Sequence, residues 1–130
     1  ALAAERRSLE QLNRLGAALE IMARETLHTE RGRLADKTFH GILLSASSNP
    51  FLISLSSSVT AAVAWSTAFK DRTQRLRRDA VVDHVKVYEA IAARSAAGAR
   101  AAMIELIELA FSDAIQIRRR AGAAKRRSRR

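Results

Sequence analysis

The chain has no cysteine, a single proline (Pro50) and only six aromatic side chains among its 130 residues. Without cysteine nothing staples the fold and nothing argues for an oxidising compartment, so a cytoplasmic protein is the default expectation. No apolar run approaches the roughly 20 residues of a membrane span, and the start lacks the core of a signal peptide, so no membrane partner is expected. Gly-rich phosphate loops, a cysteine nucleophile and a Ser-His-Asp order are all missing, which removes the usual routes to catalysis; the chain is read as a non-enzyme. Strand signals are scarce too, because alternation with β-branched and aromatic residues is never sustained. The first residues, Ala1-Leu2-Ala3-Ala4, lack an initiator methionine and give the expectation of a piece of something longer.

What is present favours helices. Hydrophobic residues make up 48% of the chain, with alanine, leucine, isoleucine and arginine dominant, a mixture of strong helix formers. A mass of 14.3 kDa allows one core and one domain. The formal charge of +10 is unevenly spread: residues 118–130 hold eight cations (Arg118, Arg119, Arg120, Lys125, Arg126, Arg127, Arg129 and Arg130) and no acid, which leaves +2 for residues 1–117. The body is therefore near neutral and the basicity is a tail. Such a tail is either a solvated chain end or a surface that touches phosphate without sequence preference.

A 3.6-residue period runs through most of the chain. Leu9, Leu12, Leu15, Leu19 and Met22 line one face of a long helix in which Gly16 allows a neighbour to pack closely. A second helix, from about Arg33 to Ala46, carries Leu34, Phe39, Ile42, Leu43 and Ala46. Asn49 reads as an N-cap and Pro50 as the first residue of a third helix to about Phe69, with Leu52, Leu55, Val59, Ala62, Val63 and Trp65 as apolar content. Its serines, Ser54 and Ser56 to Ser58, are small polar groups able to line a cavity. Val81, His84, Val87, Tyr88 and Ile91 mark a fourth helix, and Ser95 caps a fifth that uses Ala99, Met103, Leu106, Ala110 and Ile117. The expected architecture is an all-α, antiparallel bundle of about six helices.

Within that pattern Asp36 and His40 stand at i and i+4, one above the other on a helix face, where both can point at one ion or one buried anion. His84 sits in an apolar stripe and joins them only if the fold brings the helices together. A lone histidine in such a stripe is also compatible with a satisfied core residue, and an Asp-x-x-x-His pair with a surface pair. Glu25-x-x-His28 spells the motif of di-iron bundles, but those need a second such motif and two further glutamates, and no second Glu-x-x-His occurs. His28 lies in the polar stretch from Arg24 to Arg33 and is expected to be exposed.

Four pieces taken together, Asp36-x-x-Phe39-His40, Ser48-Asn49-Pro50-Phe51-Leu52, His84-x-x-x-Tyr88-Glu89-Ala90-Ile91 and Ala99-Arg100-Ala101-Ala102-Met103, resemble the FCD effector-binding domain of GntR-type bacterial transcription regulators, the FadR branch. Their order and separations follow that family from about residue 2 to residue 110. The resemblance implies a helical bundle that binds a small metabolite at its centre and forms homodimers, spanning residues 1–117 with residues 118–130 as the basic tail. It also implies an N-terminal winged helix-turn-helix domain, which would contact operator DNA and is absent here, and a first bundle helix of which Leu2-Ala3-Ala4-Glu5-Arg6 looks like the end.

Many members of the family hold a divalent metal through one aspartate and three histidines. The resemblance carries this role to Asp36, His40 and His84, whereas the fourth position is Leu106, which ligates nothing. Two readings stay open. Three ligands with open positions hold Zn²⁺, Ni²⁺ or Mn²⁺, with water or the effector's carboxylate completing the shell. Otherwise the metal is lost, and Asp36, His40 and His84 hydrogen-bond an organic effector directly, in a pocket that also includes Leu106 and Ser58. A different class of function, a basic helical protein that binds nucleic acid through the Arg-rich tail, rests on that tail and on Arg72, Arg75, Arg77 and Arg78. Its weakness is the lack of aromatics interleaved with the basic residues.

Overall fold

Short polar side chains set where the helices begin. The Ser8 hydroxyl accepts the Gln11 N–H at 3.0 Å while the Gln11 side chain accepts the Ser8 N–H at 2.9 Å, a capping box that starts the helix Leu9–Glu25. Thr29 accepts from Gly32 N–H, Asn49 from Phe51 N–H ahead of Pro50, Asp79 from Val81 N–H and Ser95 from Gly98 N–H. Each satisfies a donor that the first turn leaves without a partner. The resulting helices are α1 (Leu2–Arg6), α2 (Leu9–Glu25), α3 (Glu30–Ala46), α4 (Pro50–Ser54), α5 (Ser56–Thr73), α6 (Ala80–Ala92) and α7 (Ala96–Arg127). This computed structural model describes the backbone of residues 1–73 and 79–127 and the side chains of residues 1–67 and 79–115. Among the described residues every regular element is helical, and no helix is long and apolar enough to cross a membrane.

The helices close into a ring. α2 packs on α3, α3 on α5, α5 on α7, α7 on α6, and α6 back on α2. α1 touches α3, α6 and α7, so it bridges opposite walls; Ala4 there has no exposed surface. The apolar faces predicted for α2, α3 and α6 supply the core, in which Leu15, Met22, Phe39, Val87 and Ile91 are the largest fully buried side chains. Burying each is worth roughly 1.5–3 kcal/mol relative to leaving it in water. Gly16 does admit a neighbour: a methyl there would stand 3.3 Å from the Tyr88 hydroxyl, so the tyrosine of α6 lies flat on α2.

Arginines fasten one pole of the ring. Arg7 donates to the carbonyls of Ile91 and Ala92 at 3.2 and 2.9 Å, Arg94 donates to the Glu5 carbonyl at 3.0 Å, and Arg6 donates to the Ser47 carbonyl at 3.1 Å. The acceptors are carbonyls at the C-terminal ends of α6, α1 and α3, where the helix leaves them without partners and where a cation is favoured.

Two expectations need correction. The third helix is broken in two at Leu55; the Ser54 hydroxyl donates to the Phe51 carbonyl at 2.7 Å, competing for a backbone acceptor at the end of α4. Trp65, Leu55 and Leu34, read as apolar content of their helices, and Leu9, read as part of the apolar face of α2, are exposed. α5 instead turns Thr60 and Thr67 inward, and Trp65 follows Thr60 by five residues, on the other side of the helix.

Gly32 is where α3 crosses the end of α2. A methyl group at this position would stand 1.6 Å from the Thr26 carbonyl oxygen and 2.6 Å from its carbon, and backbone cannot step aside as a side chain does. Gly32→Ala is therefore expected to cost ~3 kcal/mol or more despite alanine's better helix propensity. Urea denaturation followed by circular dichroism measures it, and an unchanged midpoint would mean that the α2–α3 corner is looser than described.

Candidate metal centre

The site is built from three walls of the ring. α3 carries Asp36 and His40 one turn apart, α6 carries His84 four residues into the helix, and α5 brings Thr67. Phe39, fully buried beside Asp36 and His40, forms the floor: its ring meets His40 edge-on at 5.8 Å and His84 at 5.2 Å between centroids. Apolar burial thus fixes the planes of both imidazoles before any ligand is considered.

The three expected ligand residues come together. Asp36 Oδ1 lies 3.0 Å from His84 Nε2 and 3.4 Å from His40 Nε2, and the two Nε2 atoms are 3.3 Å apart. Bonds of 2.0–2.1 Å arranged tetrahedrally around one metal require neighbouring donors about 3.3 Å apart, so the triangle of donor atoms has the dimensions of one face of such a shell. Asp36 and His84 are buried and His40 nearly so.

Hydrogen bonding outside the triangle makes the inner nitrogen of His84 an acceptor and pins the far oxygen of Asp36. His84 Nδ1 is 2.7 Å from the Ala80 carbonyl, which assigns the hydrogen to Nδ1 and leaves the Nε2 lone pair of the neutral ring facing Asp36. The second carboxylate oxygen, Oδ2, accepts from the Thr67 hydroxyl at 3.0 Å. That hydroxyl has another acceptor at 3.0 Å, the Val63 carbonyl, and the charged oxygen is the stronger of the two. Oδ1 itself has no hydrogen bond of acceptable geometry. A buried carboxylate oxygen left without a donor is costly; one added proton would join only two of the three atoms, whereas a divalent cation among Oδ1 and the two Nε2 atoms would meet all three. The residues present fit a metal.

The same geometry acts on the acid itself. Burial pushes the Asp36 carboxyl up, but His40 and His84 beside it, in their protonated forms, outweigh burial and hold the group well below the usual carboxylate range.

The remaining expected residues divide. Leu106 is buried on α7 within the apolar core. Ser58 is exposed on α5, about 160° around the helix from inward-facing Thr60, so it stands apart from the three ligand residues; the polar side chain that α5 gives the site is Thr67. Sequence reasoning passed over Thr67, although Thr60 and Thr67 are seven residues apart on one face of a helix that is otherwise mostly alanine, serine and valine. His28 is exposed as expected. The side chains of Arg72, Arg75, Arg77 and Arg78 and of the tail from Arg118 lie outside the described residues, as does that of Ile117.

The family model of the FCD domain matches residues 1–109. This chain belongs to the FCD domain family. It is 34% identical over 112 residues to the HTH-type transcriptional regulator LutR of Bacillus subtilis (strain 168), a match that covers 79% of this chain and 49% of that protein. The FCD chain thus spans about half the length of this curated relative. As a domain of a transcription-regulator family it is a regulatory module and not an enzyme.

Because the Asp36 carboxyl is depressed in the folded state, the stability it contributes is complete above the unfolded value of about 4 and is lost as pH falls below that. Thermal melts of the metal-free chain between pH 5 and 2.5 should show this loss in the parent and not in Asp36→Asn. Thr67→Val removes a donor to the ionised form and should move the acid limb to higher pH. Parallel curves for the parent and Asp36→Asn through this window would mean that the carboxyl is not held low.

Proposed function

We propose that the chain is the effector-sensing and dimerisation domain of a cytoplasmic GntR/FadR-type transcription regulator, and that it binds a small carboxylate metabolite through a divalent metal held by Asp36, His40 and His84. The observation that carries this reading is the donor triangle with its hydrogen-bond-deficient oxygen, Asp36 Oδ1. Zinc, nickel and manganese all accept a carboxylate and two imidazoles. When bound, the metal supplies a Lewis-acidic position that the protein leaves open.

The rest is done by the chain's own side chains. Thr67 pins Oδ2 so that Asp36 offers a single oxygen, Ala80 fixes the His84 tautomer, and Phe39 holds both rings in plane. Such outer contacts commonly change metal affinity by about 10–100-fold when removed. Leu106 occupies the position that the family resemblance gives to a fourth ligand, and in this reading it forms an apolar wall beside the open position. The pocket then favours an effector with a carboxylate at one end and apolar surface next to it.

His84 belongs to α6, whereas Asp36 and His40 belong to α3, so whatever joins them biases the spacing of two walls of the ring. An effector that prefers one spacing shifts the population toward it, by no more than its difference in affinity for the two arrangements, typically ~1–3 kcal/mol. An attached DNA-binding domain would report that shift on operator DNA.

Elemental analysis of the purified chain, with neither metal nor chelator added, tests the reading. Near-stoichiometric metal in the parent that disappears in Asp36→Ala and in His84→Ala is the expected result; a folded, metal-free parent would turn the search to effectors held by hydrogen bonds alone. Leu106→His should restore a fourth ligand and tighten zinc binding by at least about tenfold. Unchanged zinc affinity by calorimetry would mean that position 106 does not face the metal.

A further inference from the structure

Helix α7 carries more apolar surface than the ring can use. Leu106 points into the core, whereas Ile104, Ile107, Phe111 and Ile115 are 39%, 56%, 67% and 39% exposed. At about 100° per residue Phe111 lies ~140° around the helix from Leu106, and the four exposed side chains fall within an arc of ~80°. Their spacing of three, four and four residues is that of a seam between two helices rather than scattered surface apolarity. From Ala96 to Arg127 the helix is ~48 Å long, and its midpoint falls between Phe111 and Ser112, at the most exposed side chain of the stripe.

Charge along the helix selects the partner and its direction. The first half carries Glu105 and Glu108 against the single cation Arg100, and the second half carries Arg118, Arg119, Arg120, Lys125, Arg126 and Arg127 against the single acid Asp113; Glu105 also meets Lys86 of α6 at 2.9 Å. Two copies aligned in parallel would set the basic halves against each other. Two copies aligned antiparallel set each acid-bearing half alongside the other's basic half, and a two-fold axis at the midpoint brings the two Phe111 rings together, where an aromatic pair adds to simple burial. A closed, self-complementary contact of this kind is the commonest way for identical chains to pair.

We infer that the outward face of α7 is the self-association surface of this chain, and that it pairs antiparallel with α7 of a second copy about an axis at Phe111 and Ser112. This assignment rests on the dimerisation part of the proposed function and names its surface, but it uses none of the metal-centre residues, so it stands or falls separately from the reading of that centre.

Sedimentation equilibrium of the 130-residue chain, beside the double variant Ile107→Glu with Phe111→Glu, tests it. The parent should be a dimer at micromolar concentration. The double variant should associate at least about 100-fold more weakly with an unchanged circular dichroism spectrum, because both side chains are exposed in the single chain. Direction is read from single cysteines, which the cysteine-free sequence allows without background. Phe111→Cys, beside the axis, should form an intermolecular disulfide on mild oxidation. Ile104→Cys, whose counterpart would be ~20 Å away along the helices, should not. A parent that stays monomeric overturns the inference and leaves the stripe to a partner other than a second copy. A dimer indifferent to the glutamates moves the interface elsewhere, disulfides from both cysteine variants mean parallel pairing, and a dimer that yields none means that α7 is not at the axis; each of these also overturns it.

Discussion

A buried carboxylate whose inner oxygen accepts no hydrogen bond is the constraint on which the rest of this structure turns. Asp36 is 3% exposed, and a carboxylate at that depth persists only if positive charge or donors meet it. Three helices supply what meets it, α3 with His40, α6 with His84 and α5 with Thr67. None of the three helices packs by apolar contact alone. The polar centre and the surrounding leucine, phenylalanine and valine core therefore specify the same ring closure by independent means, and a slip of any one wall would be penalised twice.

Such a centre is poor as a source of stability and good as a source of sensitivity. Replacing a buried charged cluster by apolar side chains is often neutral or stabilising in proteins, so its presence in a regulatory domain points to what it allows rather than to what it adds. The atoms that would meet a cation are held at working distance by bonds to the Ala80 carbonyl and the Thr67 hydroxyl. Little rearrangement of these side chains would then be needed to meet a cation.

The features that were legible in the sequence are those whose meaning is local. Asp36 and His40 share a helix face by spacing alone, Asn49-Pro50 and Ser95 announce helix starts, and Leu15, Leu19 and Met22 reveal the buried stripe of α2. His84 could be placed in an apolar stripe from its own helix, but its meeting with α3 came only through the family resemblance. Features that failed to show are those decided by neighbours. The third helix looked continuous because no glycine or proline stands at Leu55; the break depends on where the Ser54 hydroxyl finds an acceptor. Trp65 looked like core because tryptophan usually is, whereas α5 spends its inward face on two threonines. Ser58 was favoured over Thr67 because a cluster of serines is conspicuous and a single threonine is not. Which of them reaches a carboxylate on another helix is settled by helix rotation, which the sequence of α5 alone does not encode.

The arginine cluster at the pole of the ring gives α1 a mechanical character. Arg7 grips the last carbonyls of α6, Arg94 reaches back from the next corner to Glu5, and Arg6 holds the end of α3. A five-residue helix is too short to hold its place on its own, yet these bonds tie it to the ends of both α3 and α6. The end of α6 and the end of α3 are thus joined through α1, so a change in the spacing of these two walls would have to stretch or break arginine–carbonyl bonds rather than be absorbed in a loose connection.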